Sequence, residues 1–329
     1  MSGQNAKAPS VMMHLEPKLT YLPDETVFSL ASRLRRLWGL SSAGQLARVL
    51  FGNEWSGRRH DFPCGLGTFA AKTEGAAGEP REAARTHTLL RYYLPFKSEA
   101  EGGRALHSML RRGSANTRGW LGLPPSKLGF DHPLKACPVC IRQSVEEFGW
   151  TYWLLAHQFP GVWICPRHEE PLMIRVRSGR ENTWEVPALQ DLDRIWATRL
   201  KTEGQDRLIR LAHLSILIVN SKREDGWFQF RTVSPALTKE LMKKWQKNGA
   251  GFDAIASAAT DSWAKHRQAL ILVPEFWKEF TETQLWCGQK GSAWLGAHPL
   301  QIVLAIDWLF GDLVSFEAAR AATEGDASR

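Results

Sequence analysis

Cys137-Pro-Val-Cys140 and Cys165-Pro-Arg-His168 are the two stretches that decide the fold of this 329-residue chain, and 24 residues separate them. In each stretch two metal-binding side chains lie three positions apart, so both can reach one ion from a single tight loop. A proline follows the first ligand of each pair and stiffens both loops alike. The pattern predicts a closed tetrahedral zinc site that supports structure, with one Zn²⁺ per chain bound by Cys137, Cys140, Cys165 and His168.

Two other uses of these residues stay open at this point. One is a redox-active CxxC, although a thioredoxin-like pair would leave the second stretch unexplained. The other is a catalytic zinc, which normally has three protein ligands and an open position. Disulfides fit poorly, because three thiols and a histidine do not pair. The remaining cysteines, Cys64 and Cys287, have no partner at ligand spacing and are expected to be buried apolar residues.

Length and hydropathy limit the class of protein. A chain of 329 residues can hold two or three domains with substantial cores. The first ten residues are polar, unlike a signal peptide, and the longest apolar stretch, 211–219, is too short to cross a bilayer. We therefore expect a cytoplasmic protein without a membrane partner.

The net charge of +8 is concentrated in the first half of the chain. Residues 1–175 contain 22 Lys and Arg against 15 Asp and Glu, and 16 of the 22 are arginines. Arginine suits bidentate contacts to phosphate. The distribution indicates that the first half contacts a DNA or RNA backbone and the second half a protein; an arginine-rich solvated surface is the alternative.

The N-terminal part is predicted to be helical. A first helix opens at Pro23 and ends at Gly39, with an apolar face formed by Val27, Leu30, Ala31, Leu34 and Trp38. A second helix starts at Ser42, directs Leu46, Val49 and Leu50 inward and stops at Gly52. Two short helices joined by a tight turn indicate a helix-turn-helix-like unit, a pattern that many helical domains share.

The rest of the chain is divided by composition. Residues 53–80 are predicted to be loop, 81–94 and 100–112 helices, and 121–126 a linker. Further on, we expect a helix over Glu146–Gln158 and a short strand over Val162–Ile164. The C-terminal part is predicted to contain helices at Leu208–Asn220, Ser234–Lys247, Phe252–His266, Pro274–Leu285 and Pro299–Phe310.

These elements predict a mainly α fold. An N-terminal helix-turn-helix-like helical domain is expected with an inserted or adjacent zinc-ribbon-like module, followed by a C-terminal helical domain. The expected boundaries are a disordered arm at 1–18, the N-terminal helical part at 19–125, the zinc module at 126–176, the C-terminal domain at 177–316 and a flexible tail at 317–329.

The segment from Cys137 to Leu172 carries a specific resemblance. Its CPxC, GxxYWxxxHQxPGVxxCPxH and following Pro-Leu resemble the TniQ family, as do Leu22-Pro-Asp-Glu-Thr-Val-Phe-Ser-Leu30 and the stretch from His87 to Phe96. More loosely, residues 298–316 are similar to the HPLRHLLLxxxLFG segment of longer, TnsD-type members. Gln301 and Ile302 replace the usual Arg-His there, which removes basic character.

The resemblance implies selection of the target site in transposition. Family members recruit a AAA+ ATPase, which brings a DDE transposase to the chosen DNA. Some read an attachment site themselves, and others dock on a CRISPR guide-RNA effector complex. We expect an adaptor of this kind and not an enzyme. The alternative is a protein that recognises its DNA site directly. The resemblance leaves open whether the protein forms a homodimer.

Candidate contact residues follow from charge and aromaticity. The candidates for nucleic-acid binding are Arg33, Arg35, Arg36, Arg48, Arg58, Arg59, Arg111, Arg112 and Arg118. The tryptophans of the zinc module could stack on bases, form a partner surface or form a small core; they are Trp150, Trp153 and Trp163. The C-terminal tryptophans are expected mainly in a helical core, with two or three at an interface; they are Trp227, Trp245, Trp263, Trp277, Trp286, Trp294 and Trp308.

Overall fold

The computed structural model describes residues 20–40, 42–54, 56–112, 116–123, 132–176, 184–221, 223–246, 254, 257–259, 261–262 and 298–327. The fold is mainly helical, as predicted. The helices of the first half are α1 (Val27–Leu37), α2 (Ala43–Phe51), α3 (Leu66–Lys72), α4 (Pro80–Thr86), α5 (Leu90–Tyr93), α6 (Glu99–Leu110), α7 (Thr117–Trp120), α8 (Pro138–Phe148) and α9 (Leu155–Gln158). Those of the second half are α10 (Thr202–Asn220), α11 (Phe230–Trp245), α12 (Pro299–Phe310) and α13 (Leu313–Ala327). Short 3₁₀ turns lie at Leu94–Phe96, Leu189–Asp191 and Ile195–Arg199.

A small antiparallel sheet lies beside the two cysteine stretches. Its strands are β1 (Lys135–Ala136), β2 (Met173–Arg175) and β3 (Leu192–Asp193), in that order. Lys135 pairs with Ile174, and Arg175 pairs with Leu192. The strand expected at Val162–Ile164 is reduced to one bridge between Ile164 and Pro171. A short sheet beside a Cys/His cluster is consistent with a zinc-ribbon-like module.

The first two helices form as the sequence predicts, with corrections at their surfaces. Thr26 caps α1 by accepting from the Ser29 amide, and Gly52 ends α2 in the left-handed conformation. Trp38, at the end of the predicted apolar face, is 42 % exposed, and so is Val49, which was expected to face inward. The rest of both predicted faces is buried in the core, but Trp38 and Val49 lie at its edge, where a large part of each side chain remains exposed.

Two further boundaries differ from the predictions. The stretch 53–80 was expected to be loop, but α3 forms within it and buries Leu66 and Phe69 against α2. The helix expected over Glu146–Gln158 is wrong. Instead α8 ends at Gly149, whose φ of 71° closes the helix, and an extended segment separates it from α9.

The C-terminal helices pack around a second core. Helix α11 begins before Ser234, so Pro235 lies inside it and not at its first position, because the buried Phe228 anchors an earlier start. Helix α12 has the predicted bounds and is capped by His298. Residues 317–327 are helical where a flexible tail was expected, because Phe316 and Arg320 are buried on this side of α13.

Two apolar clusters organise the described residues. One combines α1 to α6 with the segment 132–176, which contains the four predicted ligands and is called the metal module below. This cluster includes Trp153 and Trp184. The other combines α10 to α13 with Trp163 and Ile164 from the module. Several expected features lie outside the described residues: the arm 1–18, the helix at 274–285, residues 124–126 of the expected linker, Cys287 and four of the C-terminal tryptophans. Of the helix expected at 252–266, residues 254, 257–259 and 261–262 are described and helical, and the others lie outside the described residues.

Candidate metal centre and nucleic-acid surface

Local backbone geometry brings the four predicted ligands together. Cys137 is the N-cap of α8 and Cys140 lies in its first turn, so one helix start presents two thiols. The second pair lies in a tight loop in which the amide of Glu169 donates to the Cys165 carbonyl at 2.8 Å. The amide of Cys165 in turn donates to the Glu170 carbonyl at 2.8 Å. This loop requires a left-handed residue, and Glu169 adopts a φ of 54°.

The ligand atoms have the spacing of a tetrahedral metal site. The four atoms all lie within 4.8 Å of one another. His168 Nδ1 is 3.5 Å from Cys137 Sγ, 3.3 Å from Cys140 Sγ and 3.5 Å from Cys165 Sγ. Cys140 Sγ and Cys165 Sγ are 3.8 Å apart. Tetrahedral coordination with metal–sulfur bonds of about 2.3 Å and metal–nitrogen bonds of about 2.0 Å places such atoms about 3.5 to 3.8 Å apart. The cluster could therefore hold a metal ion.

The electrostatics of the cluster also suit a cation. Hydrogen bonds from Cys140 and Cys165 lower the pKa of the Cys137 thiol, and their hydrogen bonds with Cys137 raise the pKa of the other two thiols, so the thiolate is favoured at Cys137. The three cysteines are buried, and His168 is partly buried. A buried thiolate needs a nearby positive charge. His157 lies next to the cluster with Nε2 3.9 Å from Cys140 Sγ, and burial lowers its pKa to about 3, so its imidazole is neutral.

A buried polar latch joins the metal module to the N-terminus of α1. The amide of Thr26 donates to the Trp153 carbonyl at 3.1 Å, and the amide of Trp153 donates to Ser29 Oγ at 3.0 Å. On the next turn the amide of Leu155 donates to the Asp24 carbonyl at 2.7 Å. The segment that matches the family's N-terminal motif therefore positions the metal module.

A buried ion pair between Glu25 and Arg33 lies next to these hydrogen bonds. Glu25 is fully buried, and its carboxylate accepts from Arg33 Nε at 2.9 Å and Arg33 Nη2 at 2.6 Å. Burial raises the pKa of Glu25 more than the hydrogen bonds from Arg33 lower it. His87, from the second matching motif, bonds the Glu25 carbonyl through Nδ1 at 2.7 Å. The motif at Leu22–Leu30 and the motif at His87–Phe96 are therefore in direct contact at Glu25.

A second network holds the chain between the two ligand pairs. The Gln158 side chain accepts from the Lys135 amide at 3.0 Å and donates to the Lys135 carbonyl at 2.9 Å. The Lys135 ammonium donates to the carbonyls of Phe159 and Val162 and lies over the Trp163 ring. Sequence reasoning did not single out Lys135 or Gln158. The signal available for Gln158 was its place in the HQxPGV motif.

The predicted nucleic-acid-binding arginines divide into two groups. Three point into the protein: Arg33 pairs with Glu25, Arg35 with Glu185, and Arg118 with the buried Asp61. These three side chains are at most 14 % exposed, so they hold the fold together and are not available to a nucleic acid. The prediction fails for them because helical spacing does not reveal an acidic partner distant in sequence.

The second group lies at or near the surface. Arg36, Arg48, Arg59, Arg111 and Arg112 are exposed, and Arg58 is partly buried. Arg48 pairs with Glu54, and Arg112 Nε donates to Thr68 Oγ1 at 2.9 Å. The Arg112 guanidinium also lies against Gly52, so it connects the end of α6 with the end of α2.

The module's tryptophans are mostly part of the core. Trp153 and Trp163 are at most 2 % exposed, and Trp150 is partly buried. The indole of Trp153 donates to the Glu185 carbonyl at 2.7 Å. The prediction that Trp153 and Trp163 form a partner surface is therefore wrong, because both rings are buried inside the folded chain.

The fold places a Cys₃His cluster that could hold a metal ion in a helical domain, and comparison with known proteins identifies the family of that domain. The TniQ family model matches residues 17–172. This segment is thus a TniQ domain, which confirms the resemblance and places this part of the chain in the TniQ family. Its cluster lies at the C-terminal end of the match.

A curated relative is transposon Tn7 transposition protein TnsD of Escherichia coli, which is 23 % identical over 146 residues. The aligned part covers 44 % of this chain and 29 % of TnsD, so the chain spans less than a third of that relative. Among the described residues, no helix has the length and apolar character needed to cross a membrane.

Proposed function

We propose that this protein selects the target site in transposition. It acts as an adaptor that links a target-recognition device, a DNA site or a CRISPR guide-RNA effector complex, to a AAA+ regulator and a DDE transposase. The observation that carries the proposal is the TniQ domain at residues 17–172, together with the similarity to a transposition protein. The hydrogen bonds between α1 and the module support it, since they join the segments that match the family.

We also propose that the metal is Zn²⁺. Three cysteines and one histidine are soft ligands that select zinc over magnesium or calcium. Four protein ligands leave no open coordination position, so the ion stabilises the fold and activates no water. Metal analysis of purified protein should give one zinc per chain; a cluster without metal in protein from zinc-supplemented cells would overturn this assignment.

Direct reading of DNA is the second candidate function. Helix α2 leaves Gln45, Arg48 and Val49 exposed on one side, and residues of these types contact base edges when a helix enters the major groove. This candidate needs no guide complex. It requires a preference for one sequence that survives competition.

One binding experiment separates the two candidates. Labelled duplexes carrying the transposon's attachment site are titrated with protein in the presence of unrelated competitor DNA, at rising salt. A site reader keeps a specificity ratio of about a thousand or more. An adaptor shows only salt-sensitive binding without sequence preference. Affinity capture from cells that carry the whole transposon then tests the adaptor: co-purification of the ATPase supports it, and capture of neither ATPase nor effector complex contradicts it.

A further inference from the structure

A basic groove lies between α6 and α7, away from the metal centre. Arg104 and His107 line it from one face of α6, and Arg111 lines it from the residue that follows the helix. Arg112 and Trp120, at the end of α7, complete the lining. Its volume is about 670 Å³. The two helices are tied together by a hydrogen bond of 2.8 Å between Ser108 Oγ and Thr117 Oγ1.

The charge in this groove has one sign. The described residues that line it include three arginines and a histidine but no aspartate or glutamate. Two carboxylates flank the lining residue Ala100 in sequence, and neither lines the groove. Glu101 accepts from the amide and the hydroxyl of Ser98 at the start of α6, and Glu99 is exposed in the first turn of the helix. Guanidinium groups remain charged at every physiological pH, so the groove attracts an anion with several negative groups.

Trp120 adds a second kind of contact. Its side chain is 43 % exposed at the rim, and the Arg104 guanidinium lies 5.1 Å from its ring centre. An arginine beside an exposed indole ring forms a platform on which a planar group can stack. Single Arg and Trp side chains are common on surfaces, but here both chemistries converge on one concave site.

We propose that this groove binds a single-stranded or unpaired nucleic-acid segment, with the backbone phosphates on Arg104, Arg111 and Arg112 and a base on Trp120. Bases inside a duplex are stacked on each other and expose only their edges. The Trp120 ring can therefore stack only on a base that is unpaired and exposes its face. An acidic peptide would satisfy the arginines but would leave the indole ring without a planar partner. The proposal goes beyond the proposed function and does not depend on it.

The test measures binding of the full-length protein to a fluorescent 20-nucleotide single strand by anisotropy, beside a duplex of the same sequence and polyglutamate as competitor. Trp120→Leu should weaken single-strand binding about tenfold, because stacking of one base contributes about 1–3 kcal/mol. It should leave the salt dependence unchanged. Arg111→Gln with Arg112→Gln should make the negative slope of log K against log salt shallower by about 1.4, as expected for two lost phosphate contacts on a single strand.

Arg231→Gln with Lys243→Gln is the matched control, since both residues are exposed on α11 and lie outside the groove lining. This control should bind as the unmodified protein does. Unchanged affinity of Trp120→Leu, equal losses in the control pair, or a duplex bound as tightly as the single strand would each overturn the proposal. Displacement by polyglutamate at equal charge would reassign the groove to an acidic peptide. Because Trp120→Leu keeps every charge, it remains decisive if the arginine pair proves unstable.

Discussion

The hydroxyl of Tyr93 lies 3.1 Å from Nε2 of His298, a residue 205 positions later in the chain. His298 Nδ1 accepts from the Leu300 amide, so its proton is on Nε2 and it donates to the Tyr93 oxygen. The Tyr93 hydroxyl can then donate to His132 Nε2, also at 3.1 Å. Burial lowers the pKa of both imidazoles, which keeps them neutral. This chain of hydrogen bonds attaches α12 to the TniQ domain.

Tyr93→Phe tests that connection. The substitution leaves two buried ring nitrogens without their partner, and we expect it to lower the free energy of unfolding by about 2–4 kcal/mol. Denaturant unfolding of Tyr93→Phe, His298→Asn and the double variant measures the coupling. Asn retains the cap of α12 but is too short to reach Tyr93. Coupling near zero would show that the two residues do not interact in solution.

Cys137→Ser tests the metal centre. Loss of one thiolate opens the tetrahedral site, and metal binding supplies much of the folding free energy of such modules. We expect metal content to fall from one ion per chain to near zero and the protein to unfold or aggregate. Elemental analysis and thermal unfolding measure both effects. Cys64→Ser is the control, since Cys64 is buried outside the cluster. A soluble Cys137→Ser variant with an unchanged melting transition would contradict a structural metal.

Glu25→Gln tests the buried latch. Removing one charge of a buried pair leaves Arg33 uncompensated, and we expect a loss of about 3–5 kcal/mol in the free energy of unfolding. Glu54→Gln is the matched control, because it breaks the exposed pair with Arg48 and should cost less than about 1 kcal/mol. Equal effects of the two substitutions in urea unfolding would argue against a special role for the buried pair.

Asp61 makes stability depend on pH. Burial alone would raise the pKa of this carboxylate, but the charges of His60 and Arg118 and the hydrogen bond from Arg118 outweigh burial and lower the pKa to about 2 from a usual value of 3.8. A lowered folded-state pKa stabilises the protein above about pH 4, and the stabilisation is lost as pH falls towards 2. Its size is about 2 kcal/mol.

The comparison that isolates this effect is Asp61→Asn. The difference in unfolding free energy between the two proteins should shrink by about 2 kcal/mol between pH 5 and pH 2. Loss of metal in acid affects both proteins and cancels in the difference. A difference that stays constant over this range would show that Asp61 has an ordinary pKa.

Features encoded within a few residues were predictable from the chain. The spacing of Cys137, Cys140, Cys165 and His168 indicated one cluster, and the four ligand atoms meet within 4.8 Å. Helix ends at Gly52 and at Phe310 also followed from local signals, because caps and left-handed glycines act on one turn of backbone.

Long-range partners were beyond such reasoning. Arg33 looked like a surface arginine, and only the fold brings Glu25 back to it. Trp153 and Trp163 offered a stacking surface by composition, yet each lies in a different apolar core. Helix α3 was missed because its seven residues carry a weak local signal and gain stability by packing on α2.

The sequence by itself thus determined the four residues that could hold a metal ion, the family motifs and some helix ends, such as those at Gly52 and Phe310, all of which depend on neighbouring residues. Tertiary structure alone decided which arginines are buried counter-ions and which remain for a ligand. It also decided that α6 and α7 form a basic groove with Trp120 at its rim. The reason is physical: burial and charge pairing depend on distances between residues far apart in the chain, and these distances exist only after the cores have formed.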